Sequence, residues 1–270
     1  MIMNAKLNII ILFFTASFFI SCEDVIKLDL EKGAEKYVIE AMLADQEGKC
    51  EVRIGKTKDF NADNEFNGQA GAVVTITDDL GAINTLSTTS AGVYKSATLK
   101  GIPGHTYNLK IVINGLTFTA KSTMPALVPL QDVYVKEIQV FSGPRKFTHV
   151  QYTDPAGKGN CYRFLEYVNG VYTKKISVVN DDLIDGNLIN QILVPKDFDD
   201  DEFELKTGDK IKVEFLGIDK PVYTYWFSVD SGAQGEGQTA TPINPVTNLV
   251  GGALGYFSAF TYQSKEITAE

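Results

Sequence analysis

The sequence predicts a mainly β protein: an N-terminal sandwich followed by a second β-rich domain with one short helix. Three observations lead there. Apolar side chains alternate with polar ones along several short runs, as in Tyr107-Asn108-Leu109-Lys110-Ile111-Val112-Ile113, the period of a half-buried strand. Asn114-Gly115 and Asn169-Gly170 each join two such runs; Asn-Gly suits a two-residue type I′ hairpin turn, which needs positive φ at both positions. Helical spacing of apolar residues is convincing at one place only.

In chain order, strands are expected at Tyr37–Ala41, Cys50–Ile54 and Ala72–Thr77, then at Tyr107–Ile113 and Leu116–Ala120 around the first Asn-Gly turn. Val133–Val140 and Phe147–Tyr152 follow, then Cys161–Val168 and Val171–Val179 around the second, and finally Lys210–Leu216. Asp79-Leu80-Gly81 and Thr207-Gly208-Asp209 supply further turns. The helix begins at Asp219 as cap with Pro221 in its first turn, and Val222, Tyr225, Trp226 and Val229 fall on one face. That aromatic stripe reads as core packing before it reads as a ligand shelf. Pro125 and Pro129 mark a segment without alternation, so residues 22–124 are assigned to the N-terminal sandwich, 125–131 to a linker and 132–270 to the C-terminal domain. Residues 231–255, rich in Gly, Pro, Asn and Gln, are expected to form a long loop over the sheet.

Composition narrows function by exclusion. With 25 basic against 34 acidic residues and a net charge of −9, nothing favours nucleic acid or anionic lipid headgroups as partners. The start of the chain is informative. Lys6 provides a minimal positive region and Ile9–Ile20 an apolar core, too short for a bilayer of about 30 Å but suited to a signal peptide. Ser21-Cys22 at its end resembles a bacterial lipobox. The resemblance implies removal of residues 1–21, diacylglycerol on the Cys22 thiol and acylation of the new amine, hence attachment to a lipid bilayer; three acyl chains exceed the two signals that stable anchoring takes. An ordinary secretory signal with an incidental Cys22 is the alternative. Glu23 and Asp24 resemble the acidic signal that sends Bacteroidota lipoproteins to the outer face of the outer membrane. Of the other cysteines, Cys50 and Cys161 either pair, as an export route permits, or act as two buried thiols.

No catalytic constellation stands out. His105 lies in a turn and His149 in a strand; neither belongs to an HExxH helix, and no Gly-x-Ser-x-Gly elbow occurs. The acidic runs Asp181–Asp185 and Asp197–Glu202 offer hard oxygen ligands to calcium but do not match an EF-hand loop, and a solvated charged loop is the preferred reading of them. Gly251-Gly252-Ala253-Leu254-Gly255 lacks the Lys-Ser/Thr and the strand–turn–helix context of a phosphate loop, so its glycines are expected to serve tight backbone turns. No catalytic residue, metal ligand or cofactor is assigned.

Several segments together resemble one family. They are Cys22–Leu30, Tyr37-Val38-Ile39-Glu40-Ala41, Ala72–Asp79, Tyr152-Thr153-Asp154-Pro155, Asp182-Leu183-Ile184-Asp185-Gly186, Gly208-Asp209-Lys210-Ile211 and Asn248–Ala259. The chain thereby resembles the Bacteroidota lipoproteins that carry domain of unknown function 4249. Gly92-Val93-Tyr94 followed by Pro103-Gly104-x-x-Tyr107 resembles immunoglobulin- or transthyretin-like and carboxypeptidase-regulatory sandwiches. The resemblance implies an outer-membrane lipoprotein, often encoded beside a TonB-dependent transporter, and supplies no active site. Cys161 departs from the aromatic residue expected before Tyr162.

The leading expectation is a lipid-anchored, outward-facing outer-membrane protein, non-enzymatic, that captures a small-molecule or peptide ligand for a TonB-dependent transporter or gates it. A structural or adhesive surface protein is a second expectation. A secreted hydrolase is a third, and it requires a deep pocket with two convergent carboxylates of perturbed pKa.

Overall fold

The computed structural model describes residues 34–58, 65–141, 143–194, 204–233 and 244–270. The expected signal segment, Cys22, Glu23, Asp24, the acidic run Asp197–Glu202 and part of the 231–255 tail lie outside the described residues.

The first half of the chain forms β1 (Tyr37–Ala44), β2 (Cys50–Lys56), β3 (Val73–Asp78), β4 (Ile83–Thr85), β5 (Ser87–Ser90), β6 (Val93–Ser96), β7 (Thr106–Ile113) and β8 (Leu116–Thr123). The second half continues with β9 (Leu130–Val140), β10 (Gly143–Thr153), β11 (Cys161–Val168), β12 (Val171–Tyr172), β13 (Ser177–Asn180), β14 (Leu188–Leu193) and β15 (Lys210–Ile218). Helix α1 (Lys220–Ala233), β16 (Leu249–Val250) and β17 (Leu254–Thr268) complete it. The mainly β class, with one helix among the described residues, is what alternation, the Asn-Gly turns and the single helical stripe predict. Both turns are type I′-like, with positive φ at Asn114 and Gly115 and at Asn169 and Gly170, and Ile113 opposes Leu116 across the first.

β17 organises the molecule. It pairs in parallel with β1 and antiparallel with β15, so strands from both halves merge into one nine-stranded sheet ordered β12-β11-β15-β17-β1-β2-β6-β5, with β13 also on β11. A five-stranded sheet, β16-β8-β7-β3-β4, and a three-stranded sheet, β14-β10-β9, pack on it. Phe257 and Ala259 of β17 join Ile39, Val52, Ile111 and Phe118 in the core under the five-stranded sheet. Ile267, of the same parity on β17, packs against the core of Tyr152, Tyr162, Phe164 and Phe215 under the three-stranded sheet. The opposite parity, Tyr256, Phe260 and Tyr262, faces away from both cores, toward α1.

This corrects the expected division at 125–131. Residues 35–270 form one compact unit, because the last strand is inserted beside the first. The intervening segment is stitched to β17 as well: Gln263 accepts from Leu130 N–H at 2.9 Å and donates to the Val128 carbonyl at 2.6 Å. The expected tail loop is also shorter than 231–255, since α1 runs to Ala233, Leu249–Val250 pairs with β8, and β17 starts at Leu254. The expected strand Val171–Val179 is broken into β12 and β13, with Lys174 at positive φ between them. Cys50 and Cys161 are separate buried free thiols. They belong to different clusters, with Cys161 filling the space beneath α1 that a larger aromatic residue was expected to take.

Candidate functional site

Helix α1 and the face of the nine-stranded sheet beneath it frame the site. Asp219 caps the helix by accepting from Val222 N–H at 3.2 Å. Its other oxygen accepts from the Ser122 hydroxyl at 2.8 Å and Thr123 N–H at 2.9 Å, fixing the helix to the end of β8. Burial raises the Asp219 pKa despite these donors. The helix then lays Val222, Tyr225 and Trp226 onto the sheet. Tyr225 and Trp226 both pack on Tyr256, at ring separations of 4.8 and 5.2 Å. The stripe at 222, 225 and 226 is core packing, as its spacing predicted; Val229 is not part of that cluster.

Beside α1 the sheet face opens into a cavity of about 330 Å³. Strand alternation decides what lines it. Tyr162, Phe164 and Glu166 of β11 point into the core, whereas Arg163, Leu165 and Tyr167 point to the cavity. Met42, Leu216 and Phe260 complete an apolar floor, and Tyr262 forms an aromatic wall. Four charged residues surround it: Lys49, Glu51, Arg163 and Glu214. Glu51 is paired with Lys95 at 2.6 Å. Glu214 is paired with Lys212 at 2.7 Å and accepts from the Tyr262 hydroxyl at 2.9 Å. The two cations are placed differently. The Lys49 ammonium lies 4.0 Å from the Tyr262 ring centroid, and the Arg163 guanidinium lies 3.5 Å from that of Trp226. Arg163 is only 9% exposed.

Sequence reasoning did not find this site. Its residues are spread over five strands and the β1–β2 turn, and each alone reads as an ordinary strand residue. A buried arginine on the strand where Tyr162 and Phe164 face the core was the available signal.

The residues that were singled out lie elsewhere. Asp154, Asp181 and Asp185, from two motifs recognised separately, come together with carboxylate oxygens within 4.8 Å of one another. The expectation of a solvated loop fails at Asp181, which is 1% exposed, and its partner Asp154 is equally buried. Asp154 accepts from the Tyr162 hydroxyl and from Gly186 N–H. Asp181 accepts from Gly159 and Asn160 N–H at 2.7 and 2.9 Å, and Asp185 from Gly157 N–H at 2.7 Å. Three carboxylates offer ligands to a divalent cation but fall short of the six to eight oxygens that calcium takes. Their N–H donors give them a structural role without one: they fasten the 154–160 turn to the 181–187 turn.

The histidines stand apart from each other and from the cavity. His105 contacts Asp79 at 2.7 Å, and this contact is the main reason the Asp79 pKa is lowered. His149 is buried and stacks on Tyr134 at 5.0 Å, and burial lowers its pKa despite the neighbouring Asn190 amide. The Glu166 carboxyl is pushed up to about 7 by burial. It faces the interior, near Thr148, on the other side of the sheet from the cavity.

Other motifs are architectural. The Tyr107 hydroxyl accepts from Ile102 N–H at 2.7 Å and closes its own turn. Asp209 accepts from Lys206 N–H at 2.7 Å and the Asn169 amide at 2.9 Å, tying the β14–β15 connection to the second hairpin turn. Asn248 bonds to both backbone groups of Phe257, and a Cβ on Gly255 would stand 1.9 Å from the Ile39 carbonyl oxygen.

A family model, the domain of unknown function DUF4249, matches residues 23–266. The chain belongs to the DUF4249 family. The match spans both halves that β17 joins, in keeping with one folded unit. No curated protein matches the sequence. Among solved structures, a segment of two fibronectin type III domains from chicken tenascin is similar over 87% of this chain and 99% of that one, at 11% identity and a TM-score of 0.24. That superposition is too loose to bear on fold or function.

Proposed function

We propose that this DUF4249 protein is a lipid-anchored, outward-facing outer-membrane protein that captures a small ligand for a TonB-dependent transporter and performs no chemistry of its own. The observation that carries the reading is the cavity of about 330 Å³ on the uncovered face of the nine-stranded sheet. Its size falls within the range of small-molecule pockets, and an apolar floor with a few fixed polar groups is their usual composition. The two carboxylates at the cavity are each tied to a lysine, and the one with a strongly raised pKa points away from it. That arrangement suits binding better than acid–base catalysis.

The anchor rests on the sequence: the apolar Ile9–Ile20 core, Ser21-Cys22, and the acidic Glu23-Asp24 that follows. Tethering by acyl chains raises the effective concentration of a neighbour in the same membrane, so a weak direct contact with a transporter suffices. The test is affinity purification of the full chain from outer membrane solubilised in mild detergent. A plug-and-barrel transporter recovered with the wild type, and lost with Cys22→Ala, is the expected result. Recovery of the wild type with no transporter overturns the partnership.

A further inference from the structure

We propose that the cavity beside α1 binds a small organic acid, its acid group paired with Arg163 and Lys49 and its apolar body laid on Leu165, Leu216 and Phe260. The inference rests on the capture reading and deepens it by naming the class of ligand.

A guanidinium carries five N–H donors and stays charged, so burying one is costly unless acceptors surround it. Arg163 is more than nine-tenths buried, yet among the described residues it forms no ion pair. The Trp226 ring at 3.5 Å attracts its charge and the Tyr256 hydroxyl takes one of its hydrogen bonds, but neither carries the negative charge that would neutralise it. Neighbouring carboxylates do not fill the gap. Glu51 is committed to Lys95 and Glu214 to Lys212 and the Tyr262 hydroxyl. Glu40, on the same face of β1 as Met42, makes no ion pair with Arg163 either. Lys49 also lacks a carboxylate among the described residues and sits over the Tyr262 ring.

A second observation points the same way. The indole N–H of Trp226, the residue stacked on Arg163, is buried without an acceptor. Trp226 backs Arg163 and does not itself line the cavity; at the cavity both carboxylates are committed to lysines while Arg163 and Lys49 have no carboxylate among the described residues, the pattern a bound anion would balance. The floor adds the other requirement. Leu165, Leu216 and Phe260 reward apolar surface at roughly 25 cal/mol per Å² buried, which bare phosphate or sulfate cannot supply. An acid on an apolar or aromatic body satisfies both. The volume limits that body to a small molecule.

The chain carries its own reporter, because Trp226 is the sole tryptophan. Full-length protein is titrated with 4-phenylbutyrate, with the uncharged 4-phenylbutanol and with inorganic phosphate, following Trp226 emission. Charge-assisted pairing predicts that 4-phenylbutyrate binds on the order of tenfold more tightly than 4-phenylbutanol and more tightly than phosphate. Lys49→Gln, at an exposed side chain, is expected to weaken the acid several-fold and leave the alcohol unchanged; Arg163→Gln is expected to abolish the preference. Because the comparison of compounds uses the wild type, it stands even if Arg163→Gln fails to fold. Equal binding of acid and alcohol overturns the anion assignment and leaves the capture reading in place. Phosphate binding as tightly as the acid overturns the requirement for an apolar body. No saturable response to any compound overturns the inference, and the capture reading then depends on ligand recovered with the protein itself.

Discussion

Glu166 gives the sharpest test of how the interior is balanced. Its side chain is 8% exposed in the core between the nine- and three-stranded sheets, and Glu166 Oε1 has no hydrogen-bond partner. The nearby Thr173 hydroxyl is likewise buried without a partner, and the contact with Thr148 only partly offsets the cost of burying the charge. Burial moves the carboxyl from 4.5 to about 7. At 1.36 kcal/mol for each pH unit, that difference corresponds to about 3 kcal/mol between the charged and neutral forms. Below pH 4.5 the group is protonated in folded and unfolded chains alike, and its burial carries no charge penalty. Between pH 4.5 and 7 the unfolded chain releases the proton while the folded chain keeps it, so stability falls as pH rises. Above pH 7 the loss is complete. Glu166→Gln removes the charge at nearly constant volume. It is expected to match the wild type near pH 4 and to exceed it by about 3 kcal/mol at pH 8, measured by urea unfolding followed through Trp226 fluorescence. An offset between the two proteins that stays constant from pH 4 to pH 8 refutes the reasoning.

Three further substitutions probe the frame. Gly255→Ala places a Cβ 1.9 Å from the Ile39 carbonyl oxygen at a φ of +103° and is expected to cost more than about 3 kcal/mol. Gly252→Ala, at positive φ in open space, is expected to cost about 1 kcal/mol, so similar midpoints in denaturant contradict the role given to Gly255. Asp219→Ala removes the helix cap and the tie to β8 and should lower stability by about 1–2 kcal/mol, with loss of helical signal in circular dichroism. Asp181→Ala removes the buried carboxylate that accepts from the part-buried Gly159 and Asn160 N–H groups, and unfolding should become easier by about 1–2 kcal/mol; an unchanged midpoint shows that water replaces the carboxylate.

Legibility from sequence followed burial. Strands wet on one face, such as β7 and β8, announce themselves by alternation, and their Asn-Gly turn fixes the register. The most important strand does not. From Gly255 to Tyr262 β17 is buried on both faces, and a strand covered on both sides carries no polar alternation. Missing it led to the two-domain division, since among the described residues no other strand of the second half pairs with β1. The aspartates were visible as clusters, but their solvation was not: Asp181 and Asp154 meet only when residues 154–160 and 181–187 fold against each other. The cavity was illegible for a related reason. Arg163 is one residue from Tyr162 and Phe164, and only the parity of β11 turns it away from them.

The central claim is that the open face of the nine-stranded sheet holds a ligand. Native mass spectrometry of the full-length chain, purified from cells that express it, addresses it most directly, with Leu165→Trp to fill the cavity. The account predicts an adduct of small-molecule mass on the wild type that is missing from the folded variant. Wild-type protein free of any adduct, or an adduct that persists when the cavity is filled, contradicts it.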